Sequence, residues 1–400
     1  MPSIIRREKI LFMNTVLLKN AAAILPDKKA ANVSLLIEDG IISEISGQSR
    51  NRKTDKTIDL SGTTVFAGFI DIHIHGAVGV DMMSAGAGDL RKMARFLASA
   101  GTTAWLPTFV PASDDNYRKS IAAIDELMKT QAGEPIAQAL GVHYEGVFAN
   151  EKMCGALRPE FFKKFTGDEV TRLPKLNAEN AVHLTTFAPE IEGGIELVKE
   201  LIKHGWTPSI GHTKADTETL DKAFQAGARH MTHFFNAMTG LHHREVGVVG
   251  WGLTNEKVTC DIIADGIHVH PQMLKLAHLV KTPENLLLIS DAVSPTGLGD
   301  GDYEIWNEKV SVVKGRTQNE RGSIAGSVIT LLAAVNKMLS LGIAETEVSR
   351  MASLNPAKLL GVETTRGSIE TGKRADLVAL DKQGNVKLCL TAGDVAFGDF

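Results

Sequence analysis

Cysteine is scarce in this 400-residue chain: Cys154, Cys260 and Cys389 are the only three, and no two form a CxxC pair. That excludes a disulfide scaffold and a cysteine zinc site, and leaves buried free thiols as the expectation. Positive charge is not in excess either. The formal net charge is −4, so no basic footprint for nucleic acid or an acidic membrane surface is present, and any anionic ligand needs a local cation. No apolar run approaches the roughly 20 residues that span a bilayer. The opening stretch MPSIIRREKILFMNTVLLKN has charges but no apolar core followed by a cleavage site. Nothing there directs export, and a cytoplasmic setting is expected. Met13 is an alternative start. A GxGxxG turn is also missing, which weakens a doubly wound dinucleotide-binding sheet.

What is present is an alternation. Strand-like runs, FIDIHIH, TTAWLPT, LGVHYEG, AVHLTTFAPE, TPSIGHT, HMTHFFN, VTCDIIADG and NLLLISDA, are separated in several places by amphipathic stretches. Examples of the latter are DLRKMARFLASAG, YRKSIAAIDELMKT, GIELVKELIKHG and PQMLKLAHLVK. Apolar residues recur in them at helical spacing, often before a Gly stop. Eight strand–helix units predict an α/β fold, a (β/α)8 TIM-like barrel, with a six-strand doubly wound sheet as the competitor. Two β-rich stretches bracket the barrel: VSLLIEDGIISEIS turns about Glu-Asp-Gly, and ADLVALDKQGNVKLCLTAGDVAF turns about 381–385. Neither buries much alone. They are expected to pair as one small β-sandwich-like domain, 1–67 with 365–400, beside a catalytic barrel over 68–364.

Polar residues fall where the proposed strands end. In FIDIHIH, Asp71, His73 and His75 share one face of an extended chain and Ile70, Ile72 and Ile74 the other. Glu145, His212, His233, Asp265 and Asp291 end other strands. In a parallel barrel these converge on one mouth. Imidazoles and carboxylates without thiolates suit a divalent metal: zinc first, with iron(II), manganese or cobalt also fitting. Glu145, His212 and His233 form a three-ligand set with a position left for water, while His73 and His75 hold a second ion or complete the first. A metal polarises a carbonyl and acidifies water, and Asp291 is the candidate proton shuttle for amide cleavage. Each has a plainer reading. A lone strand-end histidine is usually a structural hydrogen-bonder, and Asp291 alone is a helix cap. His143 is a supporting group at most, and His204, His230 and His278 carry no assigned function.

The segments GFIDIHIHG and GSIETGKRADLVALD resemble the HxH signature and the C-terminal return of the amidohydrolase superfamily. HYEG, GHT, THFFNAMTGLHHRE, ADGIHVHP, SDAVSPTG and AGS, in that order, resemble the N-acetylglucosamine-6-phosphate deacetylase family. The resemblance spans nearly the whole chain from the first hairpin onward. It implies hydrolysis of the N-acetyl group of a phosphorylated amino sugar. Glu145, His212 and His233 match the principal metal ligands, Asp291 the acid/base, and His73 and His75 a pair that some members use for a second ion. Ala156, Asn236, Ala237 and His268 match sugar contacts, and Ile324, Ala325 and Gly326 a loop lining the substrate. Arg244 matches a phosphate-binding arginine from the neighbouring subunit of a homodimer, and its guanidinium fork suits that anion. The chain departs from the pattern after the metal glutamate. Val147 replaces a proline, and Leu157 stands where a substrate-holding histidine is expected, with Arg158 or His183 as candidates to compensate. Deacetylation of N-acetylgalactosamine 6-phosphate, another amidohydrolase reaction and a catalytically dead scaffold are the competing readings. The fourth strand, AVHLTTFAPE, lacks the lysine that carboxylated-lysine enzymes use.

Overall fold

A computed structural model describes residues 15–47 and 53–399; Met13 and the remainder of the opening stretch lie outside them. Eight parallel strands form the barrel: β1 (Phe69–Ile74), β2 (Thr102–Phe109), β3 (Gly141–Phe148), β4 (Val182–Phe187), β5 (Trp206–Ile210), β6 (His230–Met231), β7 (Thr259–Ile263) and β8 (Leu286–Ile289). The ring closes just past β8. Asp291 N–H donates to His73 O at 2.9 Å, His75 N–H donates to Ala292 O at 2.8 Å, and Ile74 and Ala292 form a parallel bridge. Strands β1, β2 and β3 are buried along their whole length, as strands sandwiched between barrel interior and helices must be.

The four amphipathic stretches form helices at Ala87–Ser99, Asp114–Thr130, Gly194–Lys203 and Pro271–Lys281. Their apolar faces, such as Leu90, Met93, Ala94 and Leu97 of the first, enter one continuous core with Trp105, Phe109, Tyr144 and Phe187 of the strands. Strand β6 is shorter than HMTHFFN suggests. The chain turns left-handed at His233, Phe235 and Ala237 (φ 34°, 81° and 50°), which ends the ladder after Met231.

The two chain ends meet in one eight-stranded sheet with its own core. Leu377–Leu380 pairs antiparallel with Thr64–Ala67, joining the C-terminal hairpin to the N-terminal strands. Both expected turns form. Asp39 and Gly40 take φ 50° and 79° between Lys29–Glu38 and Ile41–Ser46, and the Asp381 carboxylate accepts from Gln383 and Asn385 N–H at 2.9 Å. One element lies outside the sequence expectation: a three-stranded antiparallel insert, Gly301–Ile305, Glu308–Val313 and Arg316–Asn319, which follows β8 and stands at the barrel mouth.

Candidate active site

Three of the expected residues follow directly on barrel strands in an unusual backbone conformation. His212 after β5, His233 after β6 and Asp291 after β8 have φ of 47°, 34° and 50°. For residues with a Cβ this left-handed region is sparsely populated, and it clusters at functional sites. The kinks break the strand alternation and turn all three side chains to a common point. Asp261 supports one of them: its carboxylate accepts from His233 N–H and from His230 Nε2, the latter at 3.0 Å.

Glu145, in the C-terminal half of β3, sits between two groups of imidazoles. Its Oε1 lies 2.9 Å from His212 Nε2 and 3.0 Å from His233 Nε2, and those two nitrogens are 3.0 Å apart. Its Oε2 lies 3.2 Å from His75 Nε2 and 3.7 Å from His73 Nε2, again with the two nitrogens 3.0 Å apart. Asp291 Oδ1 is 3.2 Å from His75 Nε2 and 3.4 Å from His73 Nε2. All six side chains are buried. Edges near 3 Å between N and O donors are what ligands about 2.0–2.2 Å from one divalent ion require. The tautomers agree with ligation. His212 Nδ1 is 2.8 Å from Met153 O and His75 Nδ1 is 3.2 Å from Thr108 O, so the protons belong on Nδ1 and the Nε2 lone pairs face the cluster. The donor set therefore fits a divalent cation, as two overlapping groups sharing Glu145: His73, His75, Glu145 and Glu145, His212, His233.

The local charges are strongly coupled. Burial raises the Glu145 carboxyl, but the surrounding imidazoles outweigh it and hold it well below the usual range. Burial lowers His75, and the Asp291 and Glu145 carboxylates reverse this and push it up to about 10. His143 goes the other way, because burial and the neighbouring His73 keep it neutral. It packs on the His73 ring at 4.6 Å, and its Nε2 reaches Thr186 Oγ1 at 2.8 Å.

Above this cluster lies a cavity of about 300 Å³ lined by His75, Glu145, His212, His233 and Asp291. Of the expected substrate residues, Ala156, Asn236, Ala237, His268, Ile324 and Gly326 line it, as does Leu157. Ala325 does not: it is buried in a small apolar cluster with Val293, Ile305 and Val310. Asp265 turns away onto His268, whose Nδ1 donates to its Oδ2 at 2.6 Å. That leaves the other ring nitrogen of His268 unclaimed by Asp265. Arg244 is exposed and outside the lining, and among the described residues no Lys or Arg lines the cavity.

Neither candidate to compensate for Leu157 is in place. His183 lies at the start of β4, at the opposite end of the barrel, where its Nε2 accepts from Leu176 N–H at 3.1 Å. Arg158 pairs with Glu160 at 2.7 Å and faces a neighbouring pocket. Four lining residues escaped the sequence reading: Trp306 at the tip of the insert, Ile263 at the end of β7, Gly155 and Ser323. Ile263 had a signal, as the last residue of a barrel strand. Gly155 and Ser323 had one in lying next to the expected Ala156 and Ile324; Trp306 had none, because only the tertiary fold brings the insert over the mouth.

Known proteins decide the family. Residues 64–396 match the model of the amidohydrolase family. The chain belongs to the amidohydrolase family. This amidohydrolase is 35% identical over 387 residues to an N-acetylglucosamine-6-phosphate deacetylase of Bacillus subtilis (strain 168), covering 96% of this chain and 97% of the relative. It is 36% identical over 365 residues to an N-acetylgalactosamine-6-phosphate deacetylase of Escherichia coli O157:H7, covering 90% and 94%. Its fold is similar to that of a mutant N-acetyl-D-glucosamine-6-phosphate deacetylase from Mycobacterium smegmatis in complex with N-acetyl-D-glucosamine 6-phosphate. The TM-score is 0.87 at 27% identity, over 96% of this chain and 99% of that one. Among the described residues of the amidohydrolase no helix is long and apolar enough to cross a membrane.

Proposed function

We propose that this amidohydrolase is a cytoplasmic, metal-dependent deacetylase that hydrolyses N-acetyl-D-glucosamine 6-phosphate to D-glucosamine 6-phosphate and acetate, in amino-sugar catabolism. The observation that carries the reading is the convergence of four imidazoles and Glu145 beside Asp291 under a cavity lined by the residues of the deacetylase motifs. The free state of all three cysteines fits a reducing compartment.

In this reading Glu145, His212 and His233 would hold one divalent ion, zinc in the first instance, and His73, His75 and Glu145 would hold a second. A divalent ion held there polarises the amide carbonyl and acidifies water. The chain supplies the rest. Asp291 takes the proton of the attacking water and delivers it to the amide nitrogen as the C–N bond breaks. Its carboxylate suits the first half of that task. Although burial raises it, the charge of His73 and the His75 hydrogen bond keep it below the ordinary value, so it begins ionised. His268, oriented by Asp265, and Asn236 and Ala237 on the left-handed turn after β6 hold the sugar. Among the described residues no Lys or Arg lines the cavity to meet the 6-phosphate. Arg244, exposed on its loop, supplies one across a homodimer interface.

The galacto epimer is the second reading, favoured by the relative that acts on it and by Leu157 in place of a polar substrate contact. Acetate release by metal-loaded protein from the two epimers tests both. Turnover of the gluco sugar supports the proposal, preference for the galacto sugar moves the substrate, and no acetate from either refutes it.

A further inference from the structure

Trp306 carries two uncompensated features. It forms, with Asn307, a two-residue hairpin turn in which both take left-handed angles, φ 54° and 62°. Such turns normally use Gly, Asn or Asp at the first position, not an indole. Its Nε1–H is also buried without a hydrogen-bond partner among the described residues. A bulky side chain held in this way at a cavity wall needs a reason in what the wall does.

The wall separates two spaces. On one side is the cavity above the metal cluster, where the Trp306 ring meets the His75 ring edge-on at 5.2 Å. On the other is an apolar pocket of about 100 Å³ whose lining includes Met83, Val110, Pro111, Ala112 and Phe161. Trp306 and Leu157 line both spaces. The partition is braced. The Trp306 backbone N–H donates to the Asp81 carboxylate. Arg321 ties the insert to the facing loop by donating to Ala156 O at 2.7 Å and Leu157 O at 3.3 Å while pairing with Glu308 at 3.1 Å.

Resting on the deacetylase reading above, we propose that Trp306, with Leu157, is a specificity-determining residue that sets the length of the acyl group. A sugar's hydroxyls need polar partners when they are desolvated, and Asn236, His268 and Ser323 offer them. The acyl methyl needs none, and its carbon is bonded directly to the reacting carbonyl carbon held near His75 and Asp291. Trp306 presents an apolar face to His75, ring to ring at 5.2 Å, and Leu157 lines the same cavity. Their wall accommodates a methyl group and blocks a longer chain from the pocket behind it.

The test compares kcat/KM for N-acetyl- and N-butyryl-glucosamine 6-phosphate, or for their galacto epimers if the wild type prefers those. The proteins are the metal-loaded wild type, Trp306→Ala, Leu157→Ala and Trp306→Phe, each checked for metal content and circular dichroism. Wild type should favour acetyl. Trp306→Ala should raise the butyryl-to-acetyl ratio by about tenfold or more, the usual effect of methylene-sized changes in an apolar pocket. Leu157→Ala should move it the same way, and Trp306→Phe, which keeps the wall, should leave it close to wild type. Equal loss on both substrates in Trp306→Ala, or a wild type that already cleaves butyryl as fast as acetyl, overturns the assignment and leaves the deacetylase reading intact. No hydrolysis of either N-acetyl epimer by wild type overturns both.

Discussion

The two ends of the barrel both bury ionisable side chains, and they do so in different ways. At the end where the strands begin, the buried bases Lys281 and His183 have ordinary partners. Lys281 donates to the carbonyls of Asn255 and Val258 at 2.6 Å, and His183 accepts from Leu176 N–H and stacks edge-on against Trp206 at 5.1 Å. At the mouth, imidazole nitrogens face each other in pairs at 3.0 Å, and His73 and His233 leave Nδ1 without a partner. Two imidazole nitrogens in apposition need a positive charge between them, a metal ion or a proton. Buried histidine therefore says little about function; buried acceptors aimed at one another say much.

The largest effects should come from breaking the mouth. His212→Ala removes a proposed ligand. Metal affinity should fall by more than the roughly 10–100-fold lost with a mere supporting hydrogen bond, and a metal-to-protein ratio equal to wild type after dialysis would contradict ligation. Asp291→Asn keeps the shape and removes the base. Turnover should drop by about 10²–10⁴-fold with metal retained; near-normal rates would exclude Asp291 as the proton shuttle.

How much of this was legible in the sequence follows from the same contrast. The barrel and its mouth could be read, because strand alternation is local and parallel strands align their C-terminal ends whatever the details. His73, His75, Glu145, His212, His233 and Asp291 were found that way. The conformations that aim them could not be read: nothing in GHT, THF or SDA announces a left-handed His212, His233 or Asp291. The misplacement of His183 has a related cause. AVHLTTF begins rather than ends its strand at the histidine, and a single residue type carries no direction. Trp306 was invisible for a third reason. The alternation Tyr303, Ile305, Val310, Val312 marks a hairpin, but its position over the cavity depends on contacts distant in sequence, such as that of Arg321 with Leu157, 164 positions away.

A middle-sized effect should separate the phosphate from the chemistry. Arg244 lies outside the cavity, so Arg244→Ala should leave metal content unchanged. It should raise KM for the phosphorylated sugar by about 10–100-fold, the value of a hydrogen bond to a charged group. An equal loss with unphosphorylated N-acetylglucosamine would remove Arg244 from phosphate binding. The mouth should also respond to pH through its metal. In the metal-free chain the Asp291 and Glu145 carboxylates hold His75 protonated, with its value pushed up to about 10 against the opposing effect of burial. An ion must displace that proton, so affinity should fall by about tenfold for each unit of acidification per proton displaced. Metal titrations at pH 6, 7 and 8 that give one and the same affinity would contradict this.

The smallest effect on catalysis should come from the other end, and it sharpens the comparison most. Burial, and the nearby charge of Lys175, lower His183 to about 4, against an ordinary value near 6.5. Its Nε2 must stay unprotonated to accept from Leu176 N–H. Because the folded value lies below the unfolded one, the unfolded chain binds the extra proton first. Stability is therefore full above about pH 6.5 and is lost as the pH falls towards 4, by up to about 1.4 kcal/mol per unit crossed. Gln at this position can accept the same hydrogen bond and does not titrate. His183→Gln should leave kcat/KM at its wild-type value, and its melting temperature should fall less than that of wild type between pH 6.5 and 5. A changed kcat/KM would mean that the two ends of the barrel are coupled, and that the satisfied histidine is not merely structural.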